Sequence, residues 1–173
     1  MNEEIYIDFD GVIVDTQNKI DYYFSLFDNK ITPEWNEFLA NINWKMDVLS
    51  EAKEINNSFE ILKELYKFKR NVYILSRVFS LNEYRDKLEY LRDNGIYTNF
   101  IPTPGRKEKA QVIIPNKDKI LIDDSKSNVQ NWINNNGRGI YFVNSTIDLV
   151  DNDIDFKECV DNLSFLLKKK IRV

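Results

Sequence analysis

The segment Ile5-Tyr6-Ile7-Asp8-Phe9-Asp10-Gly11-Val12-Ile13-Val14-Asp15 decides the fold. Ile5-Tyr6-Ile7 is a short apolar, β-prone run that stops at an acid, and Val12-Ile13-Val14 resumes after the glycine. A buried strand ending in an acidic loop is the simplest reading. On its own the same stretch also fits a plain acidic turn. It does not fit a calcium loop, because the glycine falls at the wrong place and a ligand position would be taken by Val12.

Downstream, strand-like and helix-like stretches alternate. Val72-Tyr73-Ile74-Leu75 reads as a strand ending at Ser76, followed by a helix capped at Ser80 or Asn82 and closed by Asn94-Gly95. Residues 97–101 form a weaker strand that ends in Pro102-Thr103-Pro104-Gly105, and 107–113 a short helix. Ile120-Leu121-Ile122 is a strand ending at Asp123-Asp124. A helix then runs from Ser127 or Asn128 through Trp132 and Ile133 to the stop at Asn134-Asn135-Asn136-Gly137. Ile140-Tyr141-Phe142-Val143 is the last clear strand, and 156–169 reads as a terminal helix with a basic end, Cys159 being a packing residue within it. This alternation implies an α/β fold, a parallel sheet with helices on both faces.

Residues 16–69 break the alternation. Ile20, Tyr23, Phe24 and Phe27 recur at helical spacing; Thr32-Pro33 is a cap with proline in the first helical position; Trp35, Phe38, Leu39 and Ile42 make a second stripe. Met46, Leu49 and Ala52 suggest a third helix, and Ser58 caps a fourth carrying Phe59, Leu62, Leu65 and Tyr66. The expected organisation is a core of residues 1–15 and 70–173, with 16–69 as a small all-helical lid inserted after the first strand.

The bulk composition narrows the chemistry. The 173 residues are 43% hydrophobic and 30% charged with a net charge of -4, an ordinary globular balance for one domain that offers no broad attraction for a nucleic-acid polymer or an anionic membrane. With no histidine, Ser-His-Asp and Cys-His catalysis and histidine-based zinc sites are excluded. A single cysteine excludes an internal disulfide and suits a reducing compartment. The acidic start is not a signal peptide and no apolar run is long enough to span a membrane, so the expected location is the cytoplasm.

In parallel α/β sheets ligands gather at the carboxyl ends of the strands. The residues just past those ends are Asp8, Asp10, Ser76, Asp123 and Asp124, with Lys109 in the segment before the fourth strand. Carboxylates converging there repel unless a divalent cation joins them, and an all-oxygen set without histidine or thiolate favours magnesium. A carboxylate in line with a phosphorus can attack it; a second, two residues on, can protonate the leaving oxygen and then activate water. A serine hydroxyl and a lysine ammonium can hold the remaining phosphoryl oxygens.

The residues Ile7-Asp8-Phe9-Asp10-Gly11-Val12, Ile74-Leu75-Ser76, Lys109-Ala110 and Ile122-Asp123-Asp124-Ser125 together resemble the four ordered motifs of the haloacid-dehalogenase-like (HAD) hydrolase superfamily. The resemblance implies a Rossmann-like core. It implies Asp8 as nucleophile and magnesium ligand, and Asp10 as general acid/base whose backbone carbonyl also binds the metal. Ser76 is implied as the phosphate-binding hydroxyl and Lys109, with Lys107 as its competitor, as the lysine that steadies nucleophile and phosphate. Asp123-Asp124 matches the acidic motif, with Asp124 favoured as the direct metal ligand and Asp123 as an outer partner. Arg77 is a candidate substrate contact beside Ser76, or else a surface or ion-pair residue. Dehalogenases of the family lack the second aspartate, so Asp10 points to a phosphatase.

The insertion resembles the cap of such enzymes, which closes over the site and selects a small phosphorylated substrate. Its shortness and the Ile-Asp-Asp sequence are similar to bacterial and phage relatives of 5'(3')-deoxyribonucleotidases. A nucleoside monophosphate is therefore the favoured substrate, with sugar or other metabolite phosphates as the alternative. Tyr22, Tyr23, Phe24, Trp35 and Trp44 are either base-stacking platforms or core. Two non-enzymatic readings stand beside these. One is a receiver-type signalling module, in which the paired acids would come early rather than last. The other is a phosphate-binding scaffold, against which the four intact motifs argue.

Overall fold

The computed structural model describes residues 3–144 and 157–168. Strand β1 (Glu4–Ile7) lies at the centre of a six-stranded sheet, between β4 (Val72–Val78) and β6 (Lys119–Asp123). β5 (Asn99–Pro104) flanks β4, while β7 (Arg138–Phe142) and then β8 (Cys159–Val160) extend the other side. Every pairing in this sheet is parallel, as the alternation of elements requires. The direction of strand addition reverses at β1, which places the crevice for ligands at its carboxyl end.

Both faces are covered, and the strands show why. Ile5 and Ile7 point to one side and Tyr6 to the other. On the first side Ile5, Ile7, Ile74, Ile120 and Ile122 pack with Leu62 and Leu65 of α3 (Ser58–Lys67), Leu91 of α4 (Leu81–Asp93) and Leu166 of α7 (Phe165–Lys168). On the second, Tyr6, Leu75 and Leu121 pack with Trp132 of α6 (Lys126–Asn134) and with Ala110 and Val112 of α5 (Lys109–Val112). The expected Rossmann-like parallel sheet with helices on both faces is the architecture found.

Between β1 and α3 lie β2 (Val14–Asp15), α1 (Gln17–Ser25), α2 (Pro33–Asn41), a wide π-helical segment Trp44–Leu49 and β3 (Lys53–Glu54). Thr32 caps α2 by accepting from the Trp35 N–H at 3.2 Å, with Pro33 in the first turn. Trp35, Leu39, Ile42, Trp44 and Val48 form a cluster of their own, joined by Tyr23, Phe24, Phe27 and Phe38. β2 and β3 pair antiparallel at the base of this segment. It docks on α4: the Lys45 N–H donates to Asp86 at 3.2 Å, and the Tyr90 hydroxyl donates to the Ala52 carbonyl at 3.1 Å.

Several sequence expectations shift. Ser58 does not cap α3; Asn57 holds the cap position at φ 59°, and the buried Ser58 hydroxyl donates to the Ile13 carbonyl at 2.8 Å. α3 packs on the sheet rather than with the aromatic cluster, so its buried face belongs to the core. Pro102 and Pro104, read as a strand's end, lie inside β5, where an edge strand tolerates proline. The terminal helix does not run through Cys159. Cys159 and Val160 add to the sheet edge, where the Tyr141 N–H donates to the Glu158 carbonyl and the Val143 N–H to the Val160 carbonyl, and the Cys159 side chain is exposed. Among the described residues of this stretch the helix spans Phe165–Lys168; Phe156 and the basic end at Lys169 and Lys170 fall outside them.

Leu62 is fully buried between α3 and the sheet. We expect Leu62→Ala to lower the unfolding free energy by about 2–5 kcal/mol in urea denaturation, through lost transfer energy and an unfilled cavity. A loss within about 0.5 kcal/mol would show that α3 is not part of the core.

Candidate active site

Asp8 follows β1 directly and is anchored by its own backbone, the N–H donating to the Ile122 carbonyl at 2.9 Å. Its Oδ1 accepts from the Phe9 N–H at 2.7 Å, and its Oδ2 lies 2.8 Å from the Lys109 ammonium. Burial pushes the Asp8 carboxyl up to about 7; Lys109 opposes the rise, while Asp123 and Asp10 add to it.

Asp123 closes β6 on the neighbouring strand and is fully buried. Every direction of approach to its carboxylate is taken. The Ser125 N–H donates at 2.9 Å, the Asn128 side-chain amide reaches both oxygens at 3.1 Å, and Lys109 Nζ sits 2.6 Å from Oδ2. Ser125 also caps α6, accepting from the Asn128 N–H, so the turn that ends the strand and the start of the helix are fixed together. Asp124, next in the chain, accepts no hydrogen bond among the described residues. Burial, then Asp8 and Asp123, push its carboxyl up to about 8 against the pull of Lys109. Carboxylate oxygens of Asp8, Asp123 and Asp124 come within 4.8 Å of one another.

Lys109 is 2% exposed at the start of α5 and bridges Asp8 and Asp123. Burial works against its charge, but the two acids more than offset this and hold it above the ordinary lysine value. Lys107, the competing lysine of the sequence reading, has no ion pair with these acids.

The turn between β1 and β2 completes the arrangement. Gly11 sits at φ 74°, and a Cβ there would meet Asp124 Oδ2 at 2.0 Å. Only glycine lets the backbone pass this close to the acid. Asp10 projects away from the three-acid cluster. Its Oδ1 accepts from the Thr16 hydroxyl at 2.8 Å, and its Oδ2 from the Ser76 hydroxyl at 3.2 Å and from Lys87 Nζ at 2.5 Å.

Ser76 is fully buried within β4, which runs on through Val78 instead of stopping at the serine. Arg77 points to the opposite face by strand alternation, and its side chain has no hydrogen bond or ion pair among the described residues. The Arg77 carbonyl is engaged, accepting from Lys87 at 3.2 Å and from the Ser76 hydroxyl at 3.3 Å. The structure thus gathers Asp8, Asp10, Ser76, Lys109, Asp123 and Asp124 at one sheet end, and leaves Arg77 as a backbone contributor.

Sequence reasoning missed Lys87, Glu83 and Thr16. Lys87 of α4 is 1% exposed and pairs with Glu83 at 2.8 Å as well as with Asp10. A signal was available: Lys87 occupies the same stripe of α4 as Tyr84 and Leu91, where an apolar residue is the expectation.

The donor set suits a hard divalent cation. All candidate ligands are oxygens and three acids crowd together; Asp8 is raised by desolvation and by the charges of Asp123 and Asp10, and Asp124 by desolvation and by the charges of Asp8 and Asp123, which a cation would relieve. Such a group polarises a phosphoryl oxygen when bound.

No family model and no curated protein matches the chain by sequence. Solved structures do. It is similar to a HAD-superfamily hydrolase from Ehrlichia chaffeensis at 15% identity and TM-score 0.58, covering 97% of this chain and 96% of that one. A haloacid dehalogenase-like family hydrolase from Streptococcus pneumoniae aligns at 16% identity and TM-score 0.59, over 96% and 98% of the two chains. A substrate-bound phosphoserine phosphatase aligns at 14% identity and TM-score 0.59, over 97% and 98%. Taken with the parallel sheet that reverses at β1 and the acids at its carboxyl end, these likenesses show that the chain has the fold of the HAD-superfamily hydrolases.

Proposed function

We propose that the protein is a magnesium-dependent phosphatase acting on a small phosphomonoester through an aspartyl-phosphate on Asp8. The observation that carries this reading is the convergence of Asp8, Asp123 and Asp124 to within 4.8 Å, with the Lys109 ammonium 2.8 Å from Asp8. Asp8, Asp124 and the Asp10 backbone carbonyl would hold the metal. Asp123, whose oxygens are already filled by Lys109, Asn128 and Ser125, would support it from outside.

In the first step an Asp8 oxygen forms a bond to phosphorus as the ester P–O bond breaks, and a proton from Asp10 passes to the departing oxygen. In the second, water attacks the acyl phosphate, its proton returns to Asp10, and Asp8 is regenerated with release of phosphate. Lys109 neutralises charge on Asp8 and the phosphoryl oxygens, and the Ser76 hydroxyl holds another of them. The segment from β2 to β3 would act as the cap.

The finer reading, a nucleoside monophosphate, draws on the insertion aromatics. Trp35 and Trp44 are 6% and 3% exposed and consumed by their own cluster, which Tyr23 and Phe24 also pack against, so Tyr22 is the aromatic left exposed to meet a base. That burial favours keeping sugar and other metabolite phosphates as the second reading. A phosphate-ester panel with magnesium separates them: nucleotides should be turned over best, and a sugar phosphate outpacing every nucleotide would select the alternative. Asp8→Asn should abolish turnover, since an amide is no nucleophile here. Wild-type rates in that variant would refute the assignment, and a wild-type protein inert toward every ester would leave a phosphate-binding scaffold.

Metal linkage gives an independent check. A carboxyl raised in the folded state stabilises it below the unfolded pKa, and that contribution is lost as pH rises through the folded value. With Asp8 near 7 and Asp124 near 8, the metal-free fold therefore loses stability between about pH 4 and about pH 8. Magnesium binds the deprotonated acids, so its stabilising effect should grow across that range. Thermal melts in EDTA and in magnesium at several pH values test this; a magnesium shift that is absent, or that shrinks as pH rises, would overturn the metal site.

A further inference from the structure

We infer that Lys87 is a positioning residue for Asp10, fixing the carboxylate that exchanges a proton with the leaving group. The inference rests on the phosphatase reading above and concerns a residue that none of the sequence motifs contains.

Lys87 is a buried ammonium with four acceptors: Asp10 Oδ2 at 2.5 Å, Glu83 Oε1 at 2.8 Å, the Arg77 carbonyl at 3.2 Å and the Ser76 hydroxyl oxygen at 3.4 Å. Trp44 and Phe9 cover it, their ring centroids 4.5 and 5.3 Å from Nζ. Burial works against the charge, yet Asp10 and Glu83 hold the lysine above its ordinary value.

A helix that only had to pack on the sheet would place an apolar side chain here. Replacing a buried ion pair by hydrophobic side chains of similar volume is often neutral or stabilising, so packing alone gives no reason for one here. Glu83 travels with the lysine one helical turn away and is itself held by the Phe79 N–H at 2.7 Å, so the helix brings a preformed pair to the site. The ammonium's remaining donor capacity reaches one outside acid, Asp10, besides the Arg77 carbonyl and the Ser76 hydroxyl oxygen. Lys87 and Ser76 grip one of its oxygens and Thr16 the other, from three different elements. The carboxylate is thereby fixed in rotation, which general acid catalysis requires of a proton donor aimed at one leaving atom. Trp44 belongs to the inserted segment, so the docking of that segment is what keeps water from the ammonium.

Lys87 touches no reacting atom in this scheme, and its effect is read through Asp10. We would compare kcat/KM for wild type and Lys87→Met, with magnesium, on glycerol phosphate and on 2,4-dinitrophenyl phosphate. An alkoxide needs its proton to leave; dinitrophenolate does not. The expected result is a loss of about 100-fold or more on glycerol phosphate and of less than about 5-fold on the dinitrophenyl ester. Equal losses on both esters, or none, would overturn the inference while leaving the phosphatase reading intact. A wild-type protein inactive on both would overturn the two together. If Lys87→Met does not fold by circular dichroism, Lys87→Met/Glu83→Gln removes the orphaned charge and is measured in the same way. Failure of both variants to fold would assign the lysine to the fold and overturn the positioning role.

Discussion

Four carboxylates at one end of a parallel sheet cannot stay close together on their own, and the way their charge is balanced organises this molecule. Two buried lysines do most of it. Lys109 reaches in from α5 and bridges Asp8 and Asp123. Lys87 reaches in from α4, which packs on the other face of the sheet, and holds Asp10. Each acid of the Asp8-Phe9-Asp10 turn thus has its own cation, supplied by a different layer. Asp124 alone of the four has neither an ion pair nor a hydrogen bond among the described residues, and burial beside Asp8 and Asp123 pushes it up to about 8. That imbalance is the physical argument for the proposed cation.

The fold serves this balance. The reversal of strand order at β1 brings the ends of β1, β4 and β6 side by side, so a turn, a strand interior and a strand end can contribute to one site. Gly11 lets the turn fold back against Asp124 without a side chain between them. The inserted segment carries an aromatic core of its own, yet it is tied to α4 by Asp86, Tyr90 and the Trp44–Lys87 contact. Its position and that of Asp10 are therefore linked through a single helix.

Much of this was legible in the chain. The acids announced themselves because each sits where a β-prone run stops, and the topology of alternating elements forces those stops to one edge; Lys109 showed itself in the short helical segment before the fourth strand. The fold followed from the same alternation. What stayed hidden depended on three-dimensional neighbours. Lys87 interrupts an apolar helical stripe, a sign that something polar waits opposite, but periodicity cannot name Asp10, which is 77 positions away. Ser58 looked like a cap because serine before an apolar run usually is one; here its hydroxyl meets the Ile13 carbonyl instead. Cys159 read as helical because its neighbours alternate weakly, while the open edge of β7 offered unpaired backbone groups that the segment satisfies as a strand.

Under the proposed function the arrangement also separates two tasks, chemistry and the choice of substrate. The acids and lysines of the candidate site are rooted in the sheet and its flanking helices, within a fold shared with structures at 14–16% identity. The inserted segment, the cap of the proposed function, has tryptophans largely spent on packing itself. Such a segment can change its exposed residues freely, because its stability comes from Trp35, Leu39 and Trp44 and its attachment from α4. The fixed point between them is Lys87, which faces Trp44 on one side and Asp10 on the other. A change in how the segment docks would therefore reach Asp10 through that ammonium.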